Sequence, residues 1–109
     1  FVEDVQQRGL NEKILLIVTG EFGRTKLNAN AGRDHWPSIS TMLMSGGRYD
    51  SGRVIGKADK SYTPSESPFG PIDVAATMFD HFGISKNIQR VDNGGRPRYL
   101  LEGEGKVIL

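Results

Sequence analysis

Residues 14–20 read ILLIVTG, five apolar residues in succession followed by threonine and glycine. A short apolar run that stops at glycine fits a strand covered on both faces, as in the interior of a parallel sheet. The strand expected from it is Ile14–Thr19. Directly behind it comes EFGRTKLNANAGRDHWP, residues 21–37, which is polar and interrupted by Gly23 and Gly32. A connection of that length is uncommon unless it is functional or disordered. Ligands of open α/β sheets gather beyond the carboxyl ends of strands, so the candidate site belongs on this loop.

Composition narrows the rest. The chain has 109 residues, a formal net charge of +1 and no cysteine. That length suits one modest domain or a piece of a larger one. The charge provides no general attraction to nucleic acid or to an anionic membrane. No apolar run approaches the roughly 20 residues of a membrane-spanning helix. Disulfides and thiolate metal sites are excluded. Val2, Val5 and Leu10 form a partial apolar face closed by Gly9, which reads as the tail of a helix. Residues 1–109 are therefore expected to be a single C-terminal fragment of a larger domain, associating through exposed sheet edges.

Further along, Ile39–Met44 suits a second strand, and Arg48–Lys57 a turn with a short edge strand. Ala58–Gly70 contains Pro64 and Pro68 and reads as a loop. Pro71–Phe82 is the best helix pattern: proline at its first position, Asp73 in the first turn, Gly83 at the end. Its apolar face carries Ile72, Ala75, Ala76, Phe79 and Phe82, so Phe79 is expected to be buried. His81 is expected to point outward, near the helix C-terminus. Ser85–Pro97 is polar, and Arg98–Leu101 with Val107–Leu109 suggests a terminal hairpin through Gly103 and Gly105.

The chemistry concentrates between Glu21 and His35. His35 is a candidate metal ligand, with Asp34 ligating or orienting it and Glu21 supplying a carboxylate oxygen. Arg24 and Arg33 are candidates for gripping the oxyanion of a phosphate or sulfate. The plainer alternatives are a hydrogen-bonded Asp34–His35 surface pair and a Glu21–Arg24 ion pair. Trp36 reads as a packing anchor rather than a substrate platform. The glycine spacing matches neither the dinucleotide fingerprint nor the P-loop.

The stretches TGEFGRT, NANAGRDHWP, VIG and PIDVAATMFDHFGI resemble the C-terminal part of an uncharacterised, sulfatase-like family of the alkaline phosphatase superfamily. More distantly, they are similar to phosphopentomutases and cofactor-independent phosphoglycerate mutases. The resemblance implies an α/β fold, the C-terminal part of a three-layer sandwich with a largely parallel sheet. It places Glu21 and Phe22 where the superfamily has an Asp-His metal pair, and His35 at a later histidine ligand. Phe22 departs from that pattern, since a phenyl ring cannot bind a metal. By this resemblance the intact protein is exported and hydrolyses phosphate or sulfate esters with a divalent metal, zinc or manganese, its nucleophile lying before Phe1. The alternative expectation is a non-catalytic oxyanion-binding or structural protein that has lost part of the two-metal site.

Overall fold

The computed structural model describes residues 1–66 and 68–108. The chain divides into two compact units, Phe1–Pro68 and Phe69–Leu109.

The first unit opens with helix α1, Val2–Gln7, whose Val5 is buried. Gly9 ends it in the left-handed region at φ 66°, and the Leu10 amide returns to the Val5 carbonyl at 2.9 Å. Such a closing turn satisfies a carbonyl that the helix leaves open, and glycine enters it without steric cost.

The apolar run then forms β1, Leu15–Thr19. Its partner is β4, Met42–Gly46, and the two run antiparallel, with Ile17 opposite Met44 and Val18 opposite Leu43. Between them lies a two-residue ribbon, β2 (Gly23–Arg24) paired antiparallel with β3 (His35–Trp36). Gly46 fits where β4 meets the start of β1: at φ 83°, an added Cβ would collide with the Ile14 carbonyl oxygen.

The second unit is built on α2, Pro71–His81. Gly83, at φ 66°, closes it with the Ile84 amide donating to the Phe79 carbonyl at 2.8 Å. A hairpin follows, β5 (Gln89–Val91) with β6 (Pro97–Tyr99). Its turn is organised by Asp92, whose Oδ1 accepts from the Gly94 and Arg96 amides at 2.8 and 3.0 Å. Those bonds, the Arg96 amide's foremost, hold the Asp92 carboxyl below its ordinary range. The segment from Gly103 to Ile108 lies along α2. An added Cβ at Gly105 would stand 2.6 Å from the Ile72 carbonyl oxygen and 2.9 Å from the Ala76 methyl.

This architecture corrects the α/β sandwich. Instead of a largely parallel sheet in three layers, the described residues form three separate two-stranded antiparallel sheets and two helices. The physical reason lies in β1. A continuous apolar run says that both strand faces are oily, but not that both are covered. Leu15, Leu16 and Ile17 are half-buried, whereas Val18 and its partner Leu43 are each 54 % exposed. A hairpin that places two apolar residues side by side in water satisfies the same pattern as an interior parallel strand.

Other expectations shift in smaller ways. The second strand begins at Met42 rather than Ile39, because the Ile39 carbonyl is taken by the Gly23 amide. Arg48–Lys57 contains no strand, and Val54 is almost fully exposed. The terminal hairpin is replaced: Tyr99 pairs back with Gln89, while residues 103–108 follow the helix. The expected partner strand's last residue, Leu109, lies outside the described residues, as does Ser67 of the 58–70 loop. Phe79 is only half-buried, the buried helix positions being Ala76 and Thr77. His81 is half-buried with its ring edge-on to Phe82 at 5.2 Å, rather than pointing outward.

Candidate functional site

The ribbon β2–β3 forms because its first residue has no side chain. A Cβ at Gly23 would meet the Ile39 carbonyl oxygen at 2.5 Å, and the Gly23 amide donates to that oxygen. Beyond the paired residues the ribbon is extended by Thr25 and Asp34. The Thr25 amide donates to the Asp34 carbonyl at 3.1 Å, and the Asp34 amide to Thr25 Oγ1 at 3.0 Å.

The residues between are held by Asn28. Its Oδ1 accepts from the Asn30 and Gly32 amides at 3.1 and 3.0 Å, and its amide donates to the Gly32 carbonyl at 2.8 Å. Side-chain acceptors of this kind replace a backbone turn, which is why asparagine favours such positions. Ala31 accordingly sits in the left-handed region at φ 57°.

Alternation along the strands gives the ribbon two faces. Arg24 lies directly opposite His35. Phe22 packs beneath both: its ring centroid is 3.9 Å from that of His35, and the Arg24 guanidinium carbon stands 5.2 Å from it. The tilted rings and the cation over the ring face are both favourable arrangements. Arg24 and His35 are exposed, Phe22 half-buried. Donors on an aromatic floor, open to solvent, can receive an anion.

The other side chains singled out from the sequence have different partners. Arg33 donates through Nη1 to the Thr25 carbonyl at 2.7 Å, so it braces the loop. Asp34 Oδ1 accepts from Asn28 Nδ2 at 3.3 Å. Glu21 is exposed in the bend between β1 and β2. Among the described residues, no three histidine or acidic side chains come together as a metal-binding group. The structure thus joins Arg24 to His35 and does not gather Glu21, Asp34 and His35 into one ligand set.

Trp36 occupies the ribbon's opposite face. It is half-buried, and its indole Nε1 donates to the Tyr62 carbonyl at 2.6 Å. It ties the ribbon to a loop rather than packing in a core. That loop is folded by Asp59, whose Oδ1 accepts from the Ser61 and Thr63 amides at 2.8 and 3.0 Å. Between ribbon and loop lies a cleft of about 310 Å³ lined by Thr25, Lys26, Trp36, Lys60, Ser61 and Tyr62. Sequence reasoning passed over it, because Lys60, Ser61 and Tyr62 sit in an unpatterned polar loop. The available signal was Asp59 two residues before a serine, a side-chain-capped turn.

The profile of a family described as proteins of unknown function, DUF1501, matches residues 1–109. The chain belongs to the DUF1501 family. No curated protein and no solved structure matches it. The match corrects the resemblance to sulfatases and alkaline phosphatases: GEFGR and GRDHW lie within a DUF1501 match, and neither of those families matches the chain. The Phe22 position shows the physical difference. Where the resemblance would put a metal-binding histidine, this DUF1501 chain has a phenyl ring stacked on His35. No helix among the described residues is long and apolar enough to cross a membrane.

Proposed function

We propose that this DUF1501 chain binds the oxyanion of a phosphate or sulfate monoester on the Phe22–Arg24–His35 face of its ribbon. The cross-strand pairing of Arg24 with His35 is the observation that carries it. Strand pairing fixes the two donors side by side without relying on a flexible loop. A guanidinium presents parallel N–H groups that match two oxyanion oxygens, and an imidazole adds a third donor. Phe22 limits the freedom of both side chains, so less order is lost on binding. Arg33 supports the face by holding Thr25 and closing the loop.

Among the described residues, Glu21, Asp34 and His35 are not gathered as a ligand set for a zinc or manganese ion. Asp34 is bonded to Asn28 instead. Binding is therefore the activity the ribbon supports, and no hydrolytic step is derived from it. The test is calorimetric titration of inorganic phosphate and sulfate into the chain and its Arg24→Ala variant. Loss of a charge-assisted pair predicts affinity at least tenfold weaker in the variant. Equal affinities would overturn the proposal. Turnover of an aryl phosphate or aryl sulfate by the intact protein, lost in His35→Ala, would extend it from binding to hydrolysis.

A further inference from the structure

The cleft on the opposite face of the ribbon has the makings of a second site, of different chemistry. We infer that it binds a small oxyanion carried on a flat apolar ring, an aryl phosphate or aryl sulfate. Its walls are the Trp36 indole and the Tyr62 phenol, and two lysines, Lys26 and Lys60, line it with them. None of the six lining residues is acidic, so both ammonium groups are available to a ligand rather than to a carboxylate within the cleft. Lys26 Nζ stands over the Tyr62 ring, 5.9 Å from its centre, which places a cation against an aromatic wall.

The cleft is also built rather than incidental. The indole N–H bond to the Tyr62 carbonyl ties the two walls together at 2.6 Å. Tyr62 itself is held at φ 58°, a conformation an aromatic residue rarely adopts, by the Asp59 turn on which it sits. The Tyr62 amide donates to the Asp59 carbonyl at 3.1 Å, and the Asp59 amide to the Thr63 carbonyl at 2.9 Å. Its volume, about 310 Å³, accommodates a phenyl ring with one oxyanion, and the cleft is open to solvent. An aromatic or apolar ring can stack between or against the walls, while the oxyanion faces the lysines. Inorganic phosphate would satisfy only half of that arrangement, and phenol only the other half.

Trp36 is the single tryptophan of the chain and lines the cleft, so its fluorescence responds to a ligand bound there. The experiment titrates phenyl phosphate and phenyl sulfate into the chain, with inorganic phosphate and phenol as separate arms. Expected is a saturable change in Trp36 emission with either ester, half-complete on the order of 1 mM. Phenol and inorganic phosphate should each bind about tenfold more weakly, and added salt should weaken the esters. Lys26→Gln and Lys60→Gln should each weaken ester binding about threefold, and the double variant about tenfold. Both lysines are exposed, so the far-ultraviolet circular dichroism of these variants should match that of the parent. Arg24→Ala, which weakens the site on the other face, should leave the titration unchanged. An unchanged emission with the esters would overturn the inference. So would equal binding of phenol or inorganic phosphate, insensitivity to the double lysine change, or loss of the signal in Arg24→Ala.

Discussion

The ribbon of residues 23–36 and the helix–tail segment of residues 70–108 use the same polar residue types to opposite ends. In the second, the polar contacts of Asp73 and Thr77 close a packed surface. The Asp73 carboxylate accepts from the Gly70 amide at 2.7 Å, capping the helix, and from the Lys106 amide at 2.8 Å, holding the tail. Thr77, fully buried, donates to the Asp73 carbonyl at 2.8 Å and accepts from the Ile108 amide at 3.0 Å. In the ribbon, Asn28, Thr25 and Arg33 bond the loop to itself and Arg24 Nη1 reaches the Arg33 carbonyl at 3.5 Å, while His35 and the rest of the exposed Arg24 guanidinium face water. One segment turns its hydrogen bonds inward to hold a helix. The other turns them inward to hold two donors outward. A region built for binding differs from one built for stability less in its residues than in which of them remain exposed.

The largest effect expected from this contrast is at Gly105. The tail passes so near the helix that alanine there would collide with the Ile72 carbonyl and the Ala76 methyl. Gly105→Ala should destabilise the second unit by about 1–3 kcal/mol, as overpacking does. The tail must lift, and the Lys106 and Ile108 amides must give up their partners. Thermal and urea denaturation of parent and variant provide the check, and an unchanged midpoint would mean the tail is not packed on the helix.

A second, smaller effect should appear with acid. The amide of Lys106 first, and that of Gly70 next, hold the Asp73 carboxyl below its ordinary value of 3.8. A carboxyl depressed in the folded state adds stability that is complete above the unfolded value. That stability is lost as pH falls through the lower folded value. The loss attributable to Asp73 therefore lies below pH 3.8 and is absent at neutral pH. Asp73→Asn should remove this part of the acid dependence in denaturation midpoints measured across that range. An identical acid profile in the variant would show that the carboxylate does not hold the tail.

What could be read from the sequence follows the same division. Pro71, Asp73 and Gly83 mark the helix ends because each acts locally, through ring geometry, a carboxylate near free amides, and a left-handed turn. The neighbour of β1 could not be read in this way. Pairing is decided by what lies across from Ile17 and Val18, and a run of apolar residues does not say whether that is a parallel strand or Met44 and Leu43. At the site, Arg24 and His35 were recognisable by type, but their adjacency depends on Gly23 approaching Ile39 and on Asn28 closing the turn. The Trp36–Tyr62 cleft joins residues 26 positions apart through one hydrogen bond, and no spacing rule announces it.

The smallest expected effect on stability is at His35, and it sharpens the comparison most. His35 is exposed, and its contact with Phe22 is one ring against another at the surface rather than part of a core. Its strand hydrogen bonding is through the backbone, which alanine retains. His35→Ala should therefore move the denaturation midpoint by no more than about 0.5 kcal/mol. Asn28→Ala, by contrast, should cost about 1 kcal/mol, because the Asn30 and Gly32 amides lose their shared acceptor. Oxyanion affinity should fall in both variants, for different reasons: His35→Ala removes a donor, and Asn28→Ala loosens the loop that sets the ribbon. Measuring stability and phosphate binding on the same two proteins separates these causes. If His35→Ala unfolds the ribbon as readily as Asn28→Ala, then His35 belongs to the scaffold, and the division between residues that hold the site and residues that form it fails at its central position.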